Sequence, residues 1–95
     1  MTAKYVKDEL CGLRKNASLK AVAQATRSQA VAYKRRYRHY VMSSNEARNA
    51  GNLTAMRILQ AEASECFCLY TDFVQLSKHL HRLAGLEFVE IVEVL

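Results

Sequence analysis

The stretch of this sequence best suited to binding chemistry is a basic and aromatic run from Lys34 to Tyr40. Guanidinium and ammonium groups repeated along one helix can contact successive phosphates, and tyrosines between them can stack on bases. The same charges suit an acidic protein surface, and basic helix flanks are often solvated or paired within their own chain. Three interpretations therefore stay open: nucleic-acid contact, docking of an acidic protein, and a surface without a partner.

Further basic residues join this surface if the segment is helical. At about 100° per residue, Lys20, Arg27, Lys34 and Arg38 fall on one flank and form a ridge roughly 27 Å long. Neighbouring bases extend the positive surface around the back of the helix. The predicted set for binding a partner or nucleic acid is Lys20, Arg27, Lys34, Arg35, Arg36, Arg38 and His39.

Two pairs of residues, Cys66 with Cys68 and His79 with His81, are zinc ligands by residue type. Residues two apart on a helix point about 160° away from each other, so neither pair can hold one ion while the helix persists. His79 and Cys68 share a face, but about 16 Å of helical rise separates them. We therefore predict no metal site, and we interpret His81 as a polar tip at the edge of a packed helix face.

The sequence contains no residue set that specifies a reaction. Cys11 has no evident base beside it, and Glu62, Glu65 and Asp72 are spaced as ordinary acids on a helix surface. No glycine-rich loop of the phosphate-binding kind is present. We predict a protein that is not an enzyme and that uses neither a cofactor nor a small-molecule substrate.

Size and composition predict a single helical domain spanning residues 1–95. The hydrophobic fraction is 51%, the charged fraction is 24%, and no proline and only three glycines interrupt the good helix formers. Lys7, Asp8 and Glu9 break the first apolar stretch, so no secretory signal or membrane span is expected. The odd number of cysteines, Cys11, Cys66 and Cys68, predicts small buried thiols in a reducing cytoplasm.

The elements that position these residues are indicated by apolar residues at 3/4 spacing, which form one seam on a helix. We predict a short helix over about residues 3–14, a connector at Asn16 to Ser18, and a second helix over residues 19–42. The seam of the second helix is Leu19, Ala23, Thr26, Ala30, Tyr33, Tyr37 and Tyr40.

A third helix is predicted to begin at a capping box formed by Ser43 and Glu46 and to continue to Ala84. Gly51 would weaken its first turns by up to ~1 kcal/mol, and Gly85 would end it in a left-handed conformation. The two long helices are expected to form an antiparallel hairpin. The seam of the third helix is Met56, Leu59, Ala63, Cys66, Tyr70, Phe73, Ser77, Leu80 and Ala84.

A second apolar seam on the third helix predicts a homodimer or a larger bundle. From Cys66 onward the apolar arc spans about half the circumference, which one neighbouring helix cannot cover. The tail, residues 86–95, is ambiguous: its valines favour a strand, whereas glutamates at every third position suit a helix. An extended tail that pairs or packs against a partner is favoured. The predicted dimer interface is Leu69, Phe73, Leu76, Leu80 and Leu83.

Charge is distributed unevenly along the chain. Residues 1–48 carry eleven Lys or Arg against three acids, whereas residues 49–95 carry three against six. Such a molecule suits an acidic partner at its basic end. A membrane surface is not predicted, because the apolar seam of the second helix is small and lacks tryptophan. We expect a non-enzymatic regulator or adaptor that binds a protein of gene-regulation or DNA-processing machinery, with direct DNA or RNA binding as the alternative.

Overall fold

A computed structural model describes residues 18–92, which form two long helices packed against each other. Helix α1 spans Leu19–Asn49 and helix α2 spans Leu53–Leu83. Residues 86–92 have neither helix nor strand and lie along the pair. Within residues 18–92 the predicted all-helical hairpin is confirmed and no strand is present. The helix predicted over residues 3–14 lies outside the described residues.

The helices run antiparallel, as contacts at their ends show. Val22, near the start of α1, packs with Leu80 near the end of α2. At the other end, Arg48 Nε donates to Met56 Sδ at 3.4 Å. Neither α1 nor α2 has the length and apolarity that crossing a membrane requires.

Helix α1 begins where the connector was predicted to end. Ser18 is its N-cap, and its Oγ accepts a hydrogen bond from the Ala21 N–H at 3.3 Å. This bond satisfies one of the N–H groups that have no partner within the first turn of a helix.

The predicted capping box at Ser43 and Glu46 is wrong, because α1 continues through both residues to Asn49. The chain reverses instead at Gly51, which has a φ of 77°, and Asn52 caps α2 by accepting from Ala55 N–H at 3.1 Å. Glycine reaches positive φ without the steric cost that other residues bear. Gly51 therefore ends one helix and does not weaken the next, and the two helices become equal in length, 31 residues each.

The end of α2 agrees with the prediction for Gly85, whose φ is 71°. The Gly85 N–H donates to Arg82 O at 3.1 Å, and the Leu86 N–H donates to His81 O at 2.8 Å. This pair of bonds is the Schellman motif, which satisfies carbonyls at a helix end and turns the chain back. The turn directs residues 86–92 along the hairpin.

The predicted seams form the interface between the helices, since every seam residue is buried or half-buried. Alanines on α1 allow close approach, and the Ser77 hydroxyl of α2 reaches Ala23 O at 3.2 Å. The end cluster contains Val22, Ala23 and Leu80, with Leu19 and Leu76 beside them. The middle cluster contains Ala30, Phe73 and Ile91, with Val31, Tyr33, Tyr70, Val74 and Phe88 beside them.

Candidate interaction surfaces

The seven predicted basic residues of α1 are divided into two groups by the tail. Arg27 and Lys34 are half-buried beneath residues 88–91, and the other five side chains are exposed. The exposed basic set consists of Lys20, Arg35, Arg36, Arg38 and His39.

Arg27 and Lys34 hold the main chain of the tail. Arg27 Nε donates to Val89 O at 2.9 Å, and its Nη2 lies 3.5 Å from Glu90 O. Lys34 Nζ donates to Ile91 O at 3.4 Å. The Lys34 ammonium also lies 5.1 Å from the centre of the Tyr70 ring, within range of a cation–π contact. Two members of the predicted ridge are therefore occupied by carbonyl groups of the same chain.

The exposed basic set has no carboxylate partner among residues 18–92, where the ion pair found joins Lys78 to Glu90 at 3.4 Å. The Arg36 guanidinium lies 5.1 Å from the centre of the Tyr33 ring. His39 meets Tyr40 edge to face, with ring centres 5.6 Å apart. These contacts are with neutral groups, so the positive charge of the set is available to an acidic partner.

Tyr33 and Tyr37 of α1 pack within the hairpin against phenylalanines of α2. Tyr33 stacks on Phe73 with ring centres 5.6 Å apart and planes 16° from parallel. The ring centres of Tyr37 and Phe67 are 5.2 Å apart, and those of Phe67 and Tyr70 are 6.0 Å apart. Rings engaged in this way have little face left for stacking on nucleic-acid bases.

Phe88 and Ile91 anchor the tail in the groove between the helices. Ile91 is buried in the middle cluster, and Phe88 packs beside it. The Phe88 ring meets the His81 ring edge to face at 5.3 Å. Between and beyond these anchors, Val89 and Val92 point outward, 64% and 77% exposed. Sequence reasoning missed this site, although Gly85 with apolar residues at positions 88 and 91 was the signal for it.

Two buried polar side chains of α2, those of Ser77 and His81, contact both α1 and the tail. The Ser77 side chain is fully buried, and His81, predicted as a polar tip, is only 4% exposed. His81 Nδ1 lies 2.7 Å from Ser77 O and 3.3 Å from Ser77 Oγ. With its proton on Nδ1, the ring donates to that carbonyl and needs no water there. An open cavity of about 470 Å³ lies beside His81. Its lining residues are Gln24, Arg27, Ser28, His81, Leu86, Glu87 and Val89.

The two described cysteines differ in environment. Cys66 is buried as predicted, whereas Cys68 is exposed, contrary to the prediction of a buried thiol. Cys11 lies outside the described residues. Burial raises the pKa of the Cys66 thiol, Arg36 opposes this, and Glu62 and Glu65 add to it. Residues 18–92 contain no group of three His, Cys, Asp or Glu side chains placed to share a metal ion.

This difference predicts selective alkylation of Cys68. In a Cys11→Ser background, we expect iodoacetamide at neutral pH to modify Cys68 at least about ten-fold faster than Cys66, because the thiolate is the nucleophile and must be accessible. Since the pKa of Cys66 is raised, its modification should require higher pH than that of a free small-molecule thiol. Peptide mass spectrometry over time gives both rates. Equal rates in the folded protein would contradict the burial of Cys66.

The residues of the predicted dimer interface occupy different positions in the hairpin. Phe73 and Leu80 are buried by contacts within the chain. Leu69 and Leu76 are half-buried, with Leu76 packed on the end cluster, and Leu83 is 57% exposed. The part of this set open to a second molecule is therefore Leu83 with the outer edges of Leu69 and Leu76.

These observations define an antiparallel helical hairpin with an extended segment packed in its groove and a basic surface on one helix. Comparison with protein-family models, with curated proteins and with solved structures gave no match to this chain.

Proposed function

We propose that this protein is a small non-enzymatic regulator or adaptor of the cytoplasm that binds a protein of gene-regulation or DNA-processing machinery. The observation that carries the proposal is the exposed basic set. Arg35, Arg36, Arg38 and His39 lie within just over one turn of α1 and have no carboxylate partner within residues 18–92. Complementary charge steers such a surface toward an acidic protein surface and sets the orientation of binding.

Direct binding of DNA or RNA is the second candidate, since the same four side chains can contact phosphates. The packing of Tyr33 and Tyr37 on phenylalanines favours the protein partner, because it occupies two of the rings that could otherwise stack on nucleic-acid bases. The two candidates differ in salt dependence. The logarithm of the nucleic-acid binding constant falls linearly with the logarithm of the salt concentration, with a slope of about −0.9 per phosphate contacted on duplex DNA.

Charge reversal on α1 tests the proposal. We expect the double variant Arg35→Glu and Arg38→Glu to bind the protein partner at least about ten-fold more weakly, because like charges then face each other. The partner is first recovered from the native host, and affinity is then measured with purified components by calorimetry. The matched control, Arg57→Glu with Arg82→Glu, reverses two exposed bases on α2 and should retain affinity.

Circular dichroism should show equal helicity for both double variants. Recovery of nucleic acid alone, with a steep salt dependence lost in the α1 variant, would overturn the first candidate in favour of the second. Equal loss of affinity in the two variants would show that net charge matters and that the surface on α1 does not.

The proposed assembly is a homodimer in which Leu69, Leu76 and Leu83 of one copy pack on a second copy. Leu83→Glu is the clean test, since Leu76 also supports the end cluster. We expect this variant to sediment as a monomer, because a charge would enter a desolvated contact. Met42→Glu on α1 is the control, with 58% exposure against 57% for Leu83, and it should remain dimeric. A wild-type protein that sediments as a monomer would remove the dimer from the proposal.

A further inference from the structure

The groove filled by residues 86–92 has the features of a site for an extended peptide. We infer that this groove binds an extended acidic segment of the protein partner, with an aromatic anchor and a branched aliphatic anchor three residues later. The chain's own tail is then a competitor that occupies the site until the partner displaces it. This inference rests on the proposed function, since it names the kind of segment that the regulator recognises.

The polar contacts of the groove are with the tail's main chain. Arg27 and Lys34 donate to the carbonyl oxygens of Val89, Glu90 and Ile91. Carbonyl groups are common to all peptides, so these donors would hold any extended segment in the same position. Recognition of extended peptides commonly combines main-chain hydrogen bonds with pockets for alternate side chains. Here the pockets accept Phe88 and Ile91.

The apolar anchors supply the selectivity. The Phe88 ring lies against the His81 ring, and its centre is 5.8 Å from the guanidinium carbon of Arg27. Ile91 enters the middle cluster against Ala30 and Phe73. The small side chain of Ala30 leaves the space that a branched aliphatic residue fills. A partner segment needs the same two side chains at the same spacing.

The rim of the groove selects for acidic segments. Arg27, Lys34 and Lys78 line it, and within residues 18–92 the one carboxylate paired with them is that of Glu90, through Lys78. Carbonyl oxygens accept hydrogen bonds from Arg27 and Lys34 but do not neutralise their charges. A partner segment with carboxylates between and beside its anchors would gain electrostatic attraction that residues 86–92 do not fully use.

The tail is held weakly enough to exchange. Within residues 18–92, no main-chain group of residues 87–92 bonds to another main-chain group. Its ion pair joins two exposed side chains, 45% for Lys78 and 69% for Glu90, and such pairs stabilise little. Two apolar anchors and the side-chain donors of α1 therefore account for most of its attachment.

A synthetic peptide with the sequence of residues 86–92 is the probe, labelled and titrated into the full-length chain by fluorescence anisotropy. Because the apparent dissociation constant equals the intrinsic one divided by the open fraction, loosening the tail strengthens peptide binding. We expect Phe88→Ala in the chain to raise apparent affinity about ten-fold. Glu90→Lys, at an exposed position that places a fourth cation on the rim, should raise it about three-fold and keeps the test valid if Phe88→Ala does not fold.

Two controls define the site. A peptide with serine at the positions of Phe88 and Ile91 should not bind. Adding Lys34→Ala to the Phe88→Ala chain should weaken peptide binding several-fold, since a donor to the peptide carbonyls is lost. Peptide binding that is absent, or equally strong for the serine peptide, or unchanged in the loosened chains, would overturn the inference. A complex between the Phe88→Ala chain and the wild-type chain, which supplies an intact tail, at concentrations where each alone is monomeric would assign the groove to a second copy's tail.

The two proposals fail separately. If the peptide does not bind but the partner is captured and lost on charge reversal, the groove is wrong and the proposed function stands. If the peptide binds but no protein partner is recovered from the host, the groove binds an extended segment and the proposed function is wrong.

Discussion

Replacing Phe73 with alanine is expected to lower the free energy of unfolding by about 3–5 kcal/mol, the range for removing a buried aromatic side chain. Phe73 is 8% exposed and lies at the centre of the middle cluster. Its ring stacks on Tyr33 of α1, and the tail residue Ile91 packs in the same cluster. A single truncation therefore leaves a cavity where both helices and the tail meet.

Phe67 on the same helix is the matched control, because it is 48% exposed and contacts Tyr37 from the edge of the interface. Phe67→Ala removes the same atoms but gives up less buried apolar surface, so we expect the free energy of unfolding to fall by about 1 kcal/mol. Urea denaturation followed by circular dichroism measures both variants. Native proteins are stable by only about 5–15 kcal/mol, so the Phe73→Ala variant should unfold at a much lower urea concentration than the wild type. Similar losses in the two variants would contradict the central position of Phe73.

Replacing Ser77 with leucine is expected to cost about 2–4 kcal/mol, from overpacking and from one lost hydrogen bond. Ser77 has no exposed surface, and its hydroxyl donates to Ala23 O of α1 at 3.2 Å. Leucine adds volume at a position with no exposed surface, where the side chain already lies against α1 and His81. The added side chain must push α1 away from α2 or displace His81, whose Nδ1 contacts Ser77.

Two controls separate overpacking from the hydrogen bond. Ser77→Ala fits the space, and the carbonyl of Ala23 keeps a bond from Thr26 Oγ1 at 2.7 Å, so its cost should be about 1 kcal/mol. Ser64→Leu makes the same replacement at an exposed position of α2 and should change stability by less than about 0.5 kcal/mol. Thermal melting by calorimetry compares all three. A leucine at position 77 tolerated as well as one at position 64 would show that the helices do not approach closely there.

The helical seams could be predicted because they depend on local periodicity. Ala23, Thr26 and Ala30 recur at the spacing that places them on one face of a helix, and all three are buried. A helix brings residues three and four apart together whatever lies beyond it. The identity of the packed faces therefore follows from spacing alone.

The turn between the helices was mispredicted because two local signals compete within ten residues. Ser43 with Glu46 satisfies the capping-box pattern, and Gly51 with Asn52 satisfies a helix end followed by a helix start. The second pair gives two helices of equal length, which can pack side by side along their whole length. Packing over the added turns outweighs a single cap, which stabilises a helix by only about 1 kcal/mol.

The sequence by itself determined the helical class, the packed seams and the reversal at Gly85, since each follows from bonds and spacings within a few residues. Only the tertiary structure decided that Arg27 and Lys34 hold the tail, that Phe88 and Ile91 fill a groove, and that His81 is buried. The contacts of Arg27 and Lys34 with the tail join residues that are about sixty positions apart in the sequence. Helical periodicity gives the face on which a side chain lies, but its neighbour is set by how the whole chain folds back.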